Sequence, residues 1–147
     1  MASIIRLDKV KGYPVSFYNS IGDLENGQFL ALKGLKEGDR EAYAVEKATK
    51  SSTGTIVLHA SVPVMYDERL LETDFVLKEN AVGRAYICER GDIVTISETF
   101  GTGTINVGDR LGIDTSGKLA SAETTKIVEV IAKEKFSGQN SLVLQFI

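Results

Sequence analysis

Residues 91–120 read GDIVTISETFGTGTINVGDRLGIDTSGKLA, and this stretch decides the fold class of the chain. It consists of short runs rich in Ile, Val, Leu and Thr, which are separated by turn sequences such as VGD at 107–109 and TSG at 115–117. β-Branched residues favour strands, and Gly beside Asp or Ser favours tight turns. Several such runs at short spacing are typical of an all-β protein.

The same pattern continues outward on both sides of this stretch. Further strands are predicted at residues 27–35, 40–47, 55–60, 80–89, 126–133 and 141–147. The chain is therefore predicted to form a compact β-barrel or β-sandwich of short strands. The last two strands carry apolar residues on more than one face. This pattern predicts that an arm, a loop or another subunit covers the apolar face that does not point into the core.

Two segments depart from the strand-and-turn pattern. Residues 1–26 read either as an N-terminal arm or as an edge strand, because Pro14 cannot donate to a strand ladder, and both interpretations stay open. Residues 61–78 are longer between glycines and richer in acids, which predicts a loop excursion with room for one helical turn. The predicted organisation is an arm or edge strand followed by a single β domain at 27–147.

Composition limits the classes of function. The 147 residues are 43% hydrophobic and 25% charged with a net charge of −3, as expected for a soluble domain with its own core. Lys and Arg are scattered rather than clustered, which disfavours nucleic-acid binding. No apolar run is long enough for a membrane helix, and the first residues lack the apolar core of a secretion signal. The single cysteine excludes an internal disulfide.

No stretch predicts catalysis, a cofactor or a metal ion. His59 is the one histidine and Cys88 the one cysteine, and both lie inside predicted strands, where wall or core roles are expected. The sequence GTGT at 101–104 lacks the Lys and the helix of a phosphate loop. The tripeptide RGD at 90–92 reads as turn chemistry. We expect the protein not to be an enzyme; an enzyme would need His59 or Cys88 to line a pocket.

Two longer runs resemble a known family. Residues 62–97 read VPVMYDERLLETDFVLKENAVGRAYICERGDIVTIS, and residues 107–120 read VGDRLGIDTSGKLA. In combination they resemble the capsid decoration proteins of tailed bacteriophages, also called cement or head-stabilising proteins, over residues 27–147. The resemblance implies a structural virion protein on the capsid surface, which is made in the host cytoplasm. Its implied partners are the major capsid protein and itself, as a homotrimer, without nucleic acid or membrane.

The partner interface is predicted in the two poorly periodic segments, because aromatic and aliphatic anchors carry most interface energy. The predicted interface residues are Tyr13, Phe17 and Tyr18 in the first segment and Tyr66, Leu70, Leu71 and Phe75 in the second. Two alternatives stay open. A tail or head–tail connector subunit would form a ring, and a β-barrel module for sugar or peptide would show a concave aromatic patch that includes Tyr66 and Tyr86.

Overall fold

The computed structural model describes residues 5–36, 38, 42–61, 76–136 and 139–147, and it confirms an all-β fold with thirteen strands in these residues. The strands are β1 (Ile5–Lys9), β2 (Tyr13–Tyr18), β3 (Leu24–Glu25), β4 (Phe29–Leu35), β5 (Ala42–Lys47), β6 (Ile56–His59), β7 (Val76–Leu77), β8 (Val82–Ile87), β9 (Ile93–Ser97), β10 (Arg110–Ile113), β11 (Leu119–Ala120), β12 (Val128–Phe136) and β13 (Gln139–Phe146). A 3₁₀ turn, Glu98–Phe100, follows β9.

Five strands close into a barrel in the order β2-β5-β4-β6-β8. Strand β2 runs parallel to β5 and antiparallel to β8, so it joins two parts of the chain that are distant in sequence. The interior is filled by alternate residues of these strands, which include Phe17, Leu30 and Val57. The short ladder of β3 and β7 adds Leu24 and Leu77 to this core.

The other large element is a six-stranded antiparallel sheet in the order β1-β9-β13-β12-β10-β11. Its inner face forms a second core with alternate residues of each strand, among them Val94 on β9, Val128 on β12 and Leu144 on β13. Phe29 and Leu58 of the barrel also belong to this second core, so the sheet packs on the outside of β4 and β6.

This arrangement explains why β4 and β6 are apolar on both faces. Leu30 and Val57 point into the barrel, whereas Phe29 and Leu58 point toward the sheet. Successive residues of a strand point to opposite faces, so a strand between two cores must be apolar throughout. The sequence pattern of these two strands therefore reports a position between two cores.

The arm interpretation of the first segment is wrong for residues 13–18. Tyr13–Tyr18 is strand β2, and its backbone is paired on both sides within the closed barrel. The pairing tolerates Pro14 even though its nitrogen cannot donate. Ile5–Lys9, in contrast, is an edge strand of the sheet, paired to β9 alone.

Strand β1 also covers part of the outer face of the sheet. Asp8 accepts the hydroxyl of the buried Thr95 at 2.6 Å, and Arg6 donates to Glu134 of β12 at 2.9 Å. Since β9 and β13 lie between β1 and β12, the Arg6–Glu134 pair bridges over both strands. This cover helps to explain why Val143 is buried on the outer face of β13.

The strand predictions for residues 27–35, 40–47, 55–60, 80–89, 126–133 and 141–147 are confirmed as β4, β5, β6, β8, β12 and β13, with shifted ends. The turns at Gly108 and Gly117 have the positive φ values of 96° and 85° that their sequences predict. One correction concerns the predicted excursion at 61–78, because Val76–Leu77 forms strand β7. The rest of that excursion, residues 62–75, lies outside the described residues.

Candidate interaction surface

The structure separates the three predicted interface residues of the first segment. Phe17 is 0% exposed in the barrel core, so its side chain cannot reach a partner, and this prediction is corrected. Tyr13 is 58% exposed at the start of β2, and Tyr18 is half-buried at its end. Alternation along β2 puts Phe17 on the inner face and Tyr18 on the outer face. The two tyrosines lie at opposite ends of one strand and do not form one surface.

The predicted residues of the second segment are Tyr66, Leu70, Leu71 and Phe75, and all four lie outside the described residues. Their part in an interface stays a prediction.

Exposed apolar side chains lie at the end of the barrel that carries Tyr18. Tyr18 is the register partner of Val82, and antiparallel partners point to the same face. Val82 is 59% exposed, and Leu35, at the end of β4, is 52% exposed. The strands that carry these residues follow one another as β8-β2-β5-β4, which spans about 15 Å. We call Tyr18, Leu35 and Val82 the rim patch.

Tyr18 is held in place by polar neighbours. Its hydroxyl donates to the Asn80 side-chain oxygen at 2.7 Å, and the Lys36 ammonium lies 4.2 Å from the centre of its ring. A cation over an aromatic face and a hydrogen bond at the ring's polar end restrict both side-chain torsions. An aromatic side chain that is already ordered loses little conformational entropy when a partner covers it.

The sequence prediction missed Leu35 and Val82 because both lie in regular strands. Val82 shares its side of β8 with Arg84, which is exposed. The signal that could have identified Val82 is that it is an apolar residue on the side of a strand that carries the charged Arg84. Leu35 has a different origin: a register shift between Leu32 and Gly34 pairs it with Tyr43, whose side chain packs against the barrel core. Leu35 itself lies at the end of β4 and is exposed there.

A buried polar cluster surrounds His59, which is 0% exposed. Its Nδ1 lies 2.8 Å from the carbonyl oxygen of Glu25, and its Nε2 lies 2.7 Å from the hydroxyl of Ser61. A carbonyl can only accept, so Nδ1 carries the proton and Nε2 accepts from Ser61. The Ser61 oxygen in turn accepts the backbone N–H of Arg84 at 3.1 Å.

The polar cluster resembles a nucleophile and base in its contacts, but it is built as a structural joint. Ser61 and Asn26 exchange two further hydrogen bonds, of 2.8 Å and 3.0 Å, and both side chains are buried. Burial lowers the pKa of His59 to about 4, against the opposing effect of the Glu25 carbonyl. A neutral imidazole with both nitrogens occupied holds the β3 and β6 backbones together. It has no nitrogen left to activate Cys88.

Cys88 and the RGD tripeptide also have structural surroundings. Burial, with a smaller effect of the Asp92 charge, raises the pKa of the Cys88 thiol to about 12, so the thiol stays protonated and unreactive. Asp92 is buried, and its carboxylate accepts the backbone N–H groups of Lys11, Gly12 and Glu89. An adhesion tripeptide needs an accessible carboxylate, and this one is enclosed by its own chain.

The glycine-rich stretch at 101–104 leads into strand β10 rather than a helix. Thr102 is fastened there by its backbone N–H to Leu119 at 2.8 Å and by its hydroxyl to Asp114 at 3.2 Å. This geometry differs from a phosphate-binding loop, whose N–H groups converge on the ligand.

The surface of the described residues includes two clefts of several hundred cubic ångströms. The first has a volume of about 650 Å³ between the turn at 49–52 and the segment at 122–127, with hydroxyl side chains on its walls and Ile56, Ile113 and Ile127 among its lining. The second, of about 610 Å³, has three basic residues in its lining, Arg90, Arg110 and Lys126. Tyr86 lines neither cleft, and Tyr66 lies outside the described residues, so the predicted aromatic ligand patch stays a prediction.

Among residues 5–36, 38, 42–61, 76–136 and 139–147, no group of three His, Cys, Asp or Glu side chains is placed to hold a metal ion. The same part of the chain contains no helix long and apolar enough to cross a membrane.

No protein-family model matches the chain, and no curated protein matches it. Among solved structures, the chain is similar to the head fiber gp8.5 N base in bacteriophage phi29, with a TM-score of 0.47 and 12% sequence identity. The match covers 92% of this chain and 98% of that chain. At this TM-score and identity the likeness does not establish a shared function.

Proposed function

We propose that this protein is a structural virion protein that binds the outer surface of a tailed-phage capsid shell and stabilises it, as a decoration protein. The class of partner comes from the resemblance of residues 62–97 and 107–120 to that family. The rim patch is the observation that carries the proposal, since Tyr18, Leu35 and Val82 lie at one end of a closed barrel and two of them are more than half exposed.

The rim patch has the physical character of a docking surface. Leu35 and Val82 are more than half exposed, so covering them gains hydrophobic free energy, and Tyr18 is already ordered by Lys36 and Asn80. Each contact of this kind is modest. A shell repeats the same subunit many times, and in a homotrimer each added rim patch would bind at a high effective concentration.

The proposal gives the protein no catalytic role. Its support is that His59 is buried with both ring nitrogens occupied and that the pKa of Cys88 is raised to about 12. The proposed partners are the major capsid protein and two further copies of this chain. The proposed location is the capsid surface, after synthesis in the host cytoplasm.

The test is cosedimentation of the purified protein with capsids that lack it. Val82→Asp with Leu35→Asp places two charges in the rim patch and is expected to weaken binding by at least about tenfold, because each desolvated carboxylate opposes docking. Val107→Asp is the matched control, since Val107 is also 59% exposed but lies in the turn before β10. This variant is expected to bind like the original protein.

Native mass spectrometry of the same variants separates two roles of the rim patch. A trimer that persists while capsid binding is lost supports docking on the shell. If the double variant is monomeric, the rim patch joins copies of this chain and the assignment to the shell is wrong. If the original protein fails to sediment with capsids, the proposed function itself is wrong.

A further inference from the structure

We propose that the second cleft binds an acidic segment of a partner protein. This basic cleft has a volume of about 610 Å³, and its lining includes Arg90, Arg110, Lys126, Thr124, Gln145 and Phe146. It lies where β9 and β12 begin and β13 ends. Among the residues that the structure describes, no Asp or Glu side chain is part of its lining.

The walls of the basic cleft are backbone segments that are already hydrogen-bonded. The Gly91 N–H donates to the Phe146 carbonyl at 2.8 Å, and the Phe146 N–H donates to the Asp92 carbonyl at 2.9 Å. The Ile147 N–H donates to the Ile127 carbonyl at 3.1 Å. The three basic residues therefore lie at strand ends whose backbone is held by hydrogen bonds. Because this backbone is already fixed, a ligand would meet a largely preformed site.

The positive charge of the cleft is poorly compensated. Arg110 lies 3.4 Å from Glu129, with the arginine exposed and the glutamate half-buried, and this is the one ion pair that the three cations make within the described residues. Lys126 donates to the neutral carbonyl of Ser121, which leaves its charge uncancelled. Arg90 makes no hydrogen bond or ion pair with any residue that the structure describes.

The two acidic residues closest in sequence to Arg90 are Asp92, which is buried and accepts hydrogen bonds from three backbone N–H groups, and Glu89, which is exposed to solvent. The chain as a whole has a net charge of −3, so a pocket with three cations is a local reversal of sign. Such a reversal attracts anions and orients them.

The lining favours a peptide carboxylate over a free inorganic anion. Guanidinium groups bind carboxylates in a bidentate manner, and the Thr124 hydroxyl and Gln145 amide can donate further hydrogen bonds. Phe146 and Ile147 add apolar surface beside the charges. A segment in which Glu or Asp alternates with an aliphatic residue would use both parts of the lining, whereas phosphate would use one.

This inference does not rest on the proposed function, because the cleft and the rim patch lie apart. Asp92 is next to the cleft, and its carboxylate accepts the N–H of Gly12, which lies just before β2. Tyr18 of the rim patch lies at the other end of β2. Six strand residues span about 20 Å. A partner on the cleft and a shell on the rim patch could therefore bind at the same time.

The experiment measures the anisotropy of a fluorescent synthetic peptide that alternates Glu with Leu, titrated with the full chain. A peptide with Gln in place of Glu is the ligand control. Arg90→Gln with Arg110→Gln is expected to weaken binding about tenfold. Lys118→Gln with Lys135→Gln makes the same change in net charge at two other exposed positions and is expected to leave binding unchanged.

Three results would overturn the proposal. The Gln peptide binds as tightly as the Glu peptide, both double variants lose affinity equally, or inorganic phosphate protects the Arg90 and Arg110 side-chain NMR signals while the peptide does not. If the Gln variant unfolds, Arg90→Lys with Arg110→Lys replaces it. That variant keeps the charges but loses the bidentate geometry, and about threefold weaker binding is expected.

Discussion

The carboxylate of Asp92 accepts the backbone N–H of Lys11 at 2.9 Å, which ties the link between β1 and β2 to the turn before β9. The same carboxylate accepts Gly12 at 3.0 Å and Glu89 at 2.8 Å. Burial alone would raise the pKa of Asp92, and these N–H donors together with the Lys11 charge lower it by more. One side chain thus joins the barrel to the sheet at the point where the chain passes between them.

Replacing this carboxylate tests how much the joint stabilises the fold. Asp92→Asn keeps the size but presents an NH₂ group to backbone donors, so we expect a loss of about 2 to 4 kcal/mol in the free energy of unfolding. Urea denaturation measures it. Asp109→Asn is the control, since Asp109 accepts one N–H, from Asn106, at a more exposed turn. Equal losses for the two variants would contradict a special role for Asp92.

A methyl group at Gly12 is expected to break the same joint sterically. An added Cβ there would overlap the carbonyl oxygen of Ile87, and both groups belong to the backbone. Gly12→Ala should cost at least about 3 kcal/mol, because neither strand can yield without losing pairing. Gly103→Ala, which has open space and a φ of 75°, should cost about 1 kcal/mol from backbone strain alone. Thermal unfolding of both variants decides the comparison, and a mild Gly12→Ala variant would refute the overlap.

The buried imidazole predicts a pH dependence of stability. The folded-state pKa of His59 is about 4, against 6.5 in the unfolded chain, so between these values the unfolded state binds a proton that the folded state excludes. The stabilisation is complete above about pH 6.5 and is lost progressively as the pH falls toward 4, by about 3 kcal/mol in all. Urea unfolding at a series of pH values measures the slope.

His59→Gln is the reference for this slope, because the sequence has no other histidine. Burial raises the pKa of Glu25, which changes the stability with pH in the opposite sense. Both proteins contain Glu25, so the difference between their slopes isolates the imidazole. If the slopes between pH 6.5 and 5.5 are equal, His59 does not have the lowered pKa.

The thiol of Cys88 is expected to resist alkylation. With its pKa raised to about 12, the thiolate fraction at pH 8 is about a thousandfold below that of a thiol of ordinary pKa near 9. We expect iodoacetamide to label the native protein at least about a hundredfold more slowly than the urea-unfolded protein, as measured by mass spectrometry. Similar rates in both states would show that Cys88 is open to solvent and ionised normally.

The sequence predicted the regular strands well because their signals are local. The β-branched run at 56–59 and the turn glycines at 108 and 117 depend on neighbouring residues alone, and each is found where it was expected. Strand β2 was undecided because its partners, β5 and β8, lie far along the chain. A closed barrel can pair a segment that carries Pro14, and no pattern within a few residues of β2 indicates that β5 and β8 are its partners.

For the candidate interaction surface too, local properties could be predicted from the sequence and long-range ones could not. Tyr18 was predicted from its side-chain type, and its part in an interface stays a prediction. Phe17 was misplaced because an aromatic residue looks the same in a core and at an interface. Leu35 and Val82 were missed because exposure at the barrel rim depends on where the strands end.

By itself, then, the sequence determined that this protein is all-β, with short strands and glycine turns, because alternation and turn chemistry act within a few residues. Only the tertiary structure decided that β4 and β6 lie between two cores, that Asp92 joins barrel to sheet, and that Arg90, Arg110 and Lys126 share one cleft. Those features depend on which distant segments meet. Strand pairing and side-chain packing across the whole chain determine which segments come into contact, and the order of residues alone does not show this.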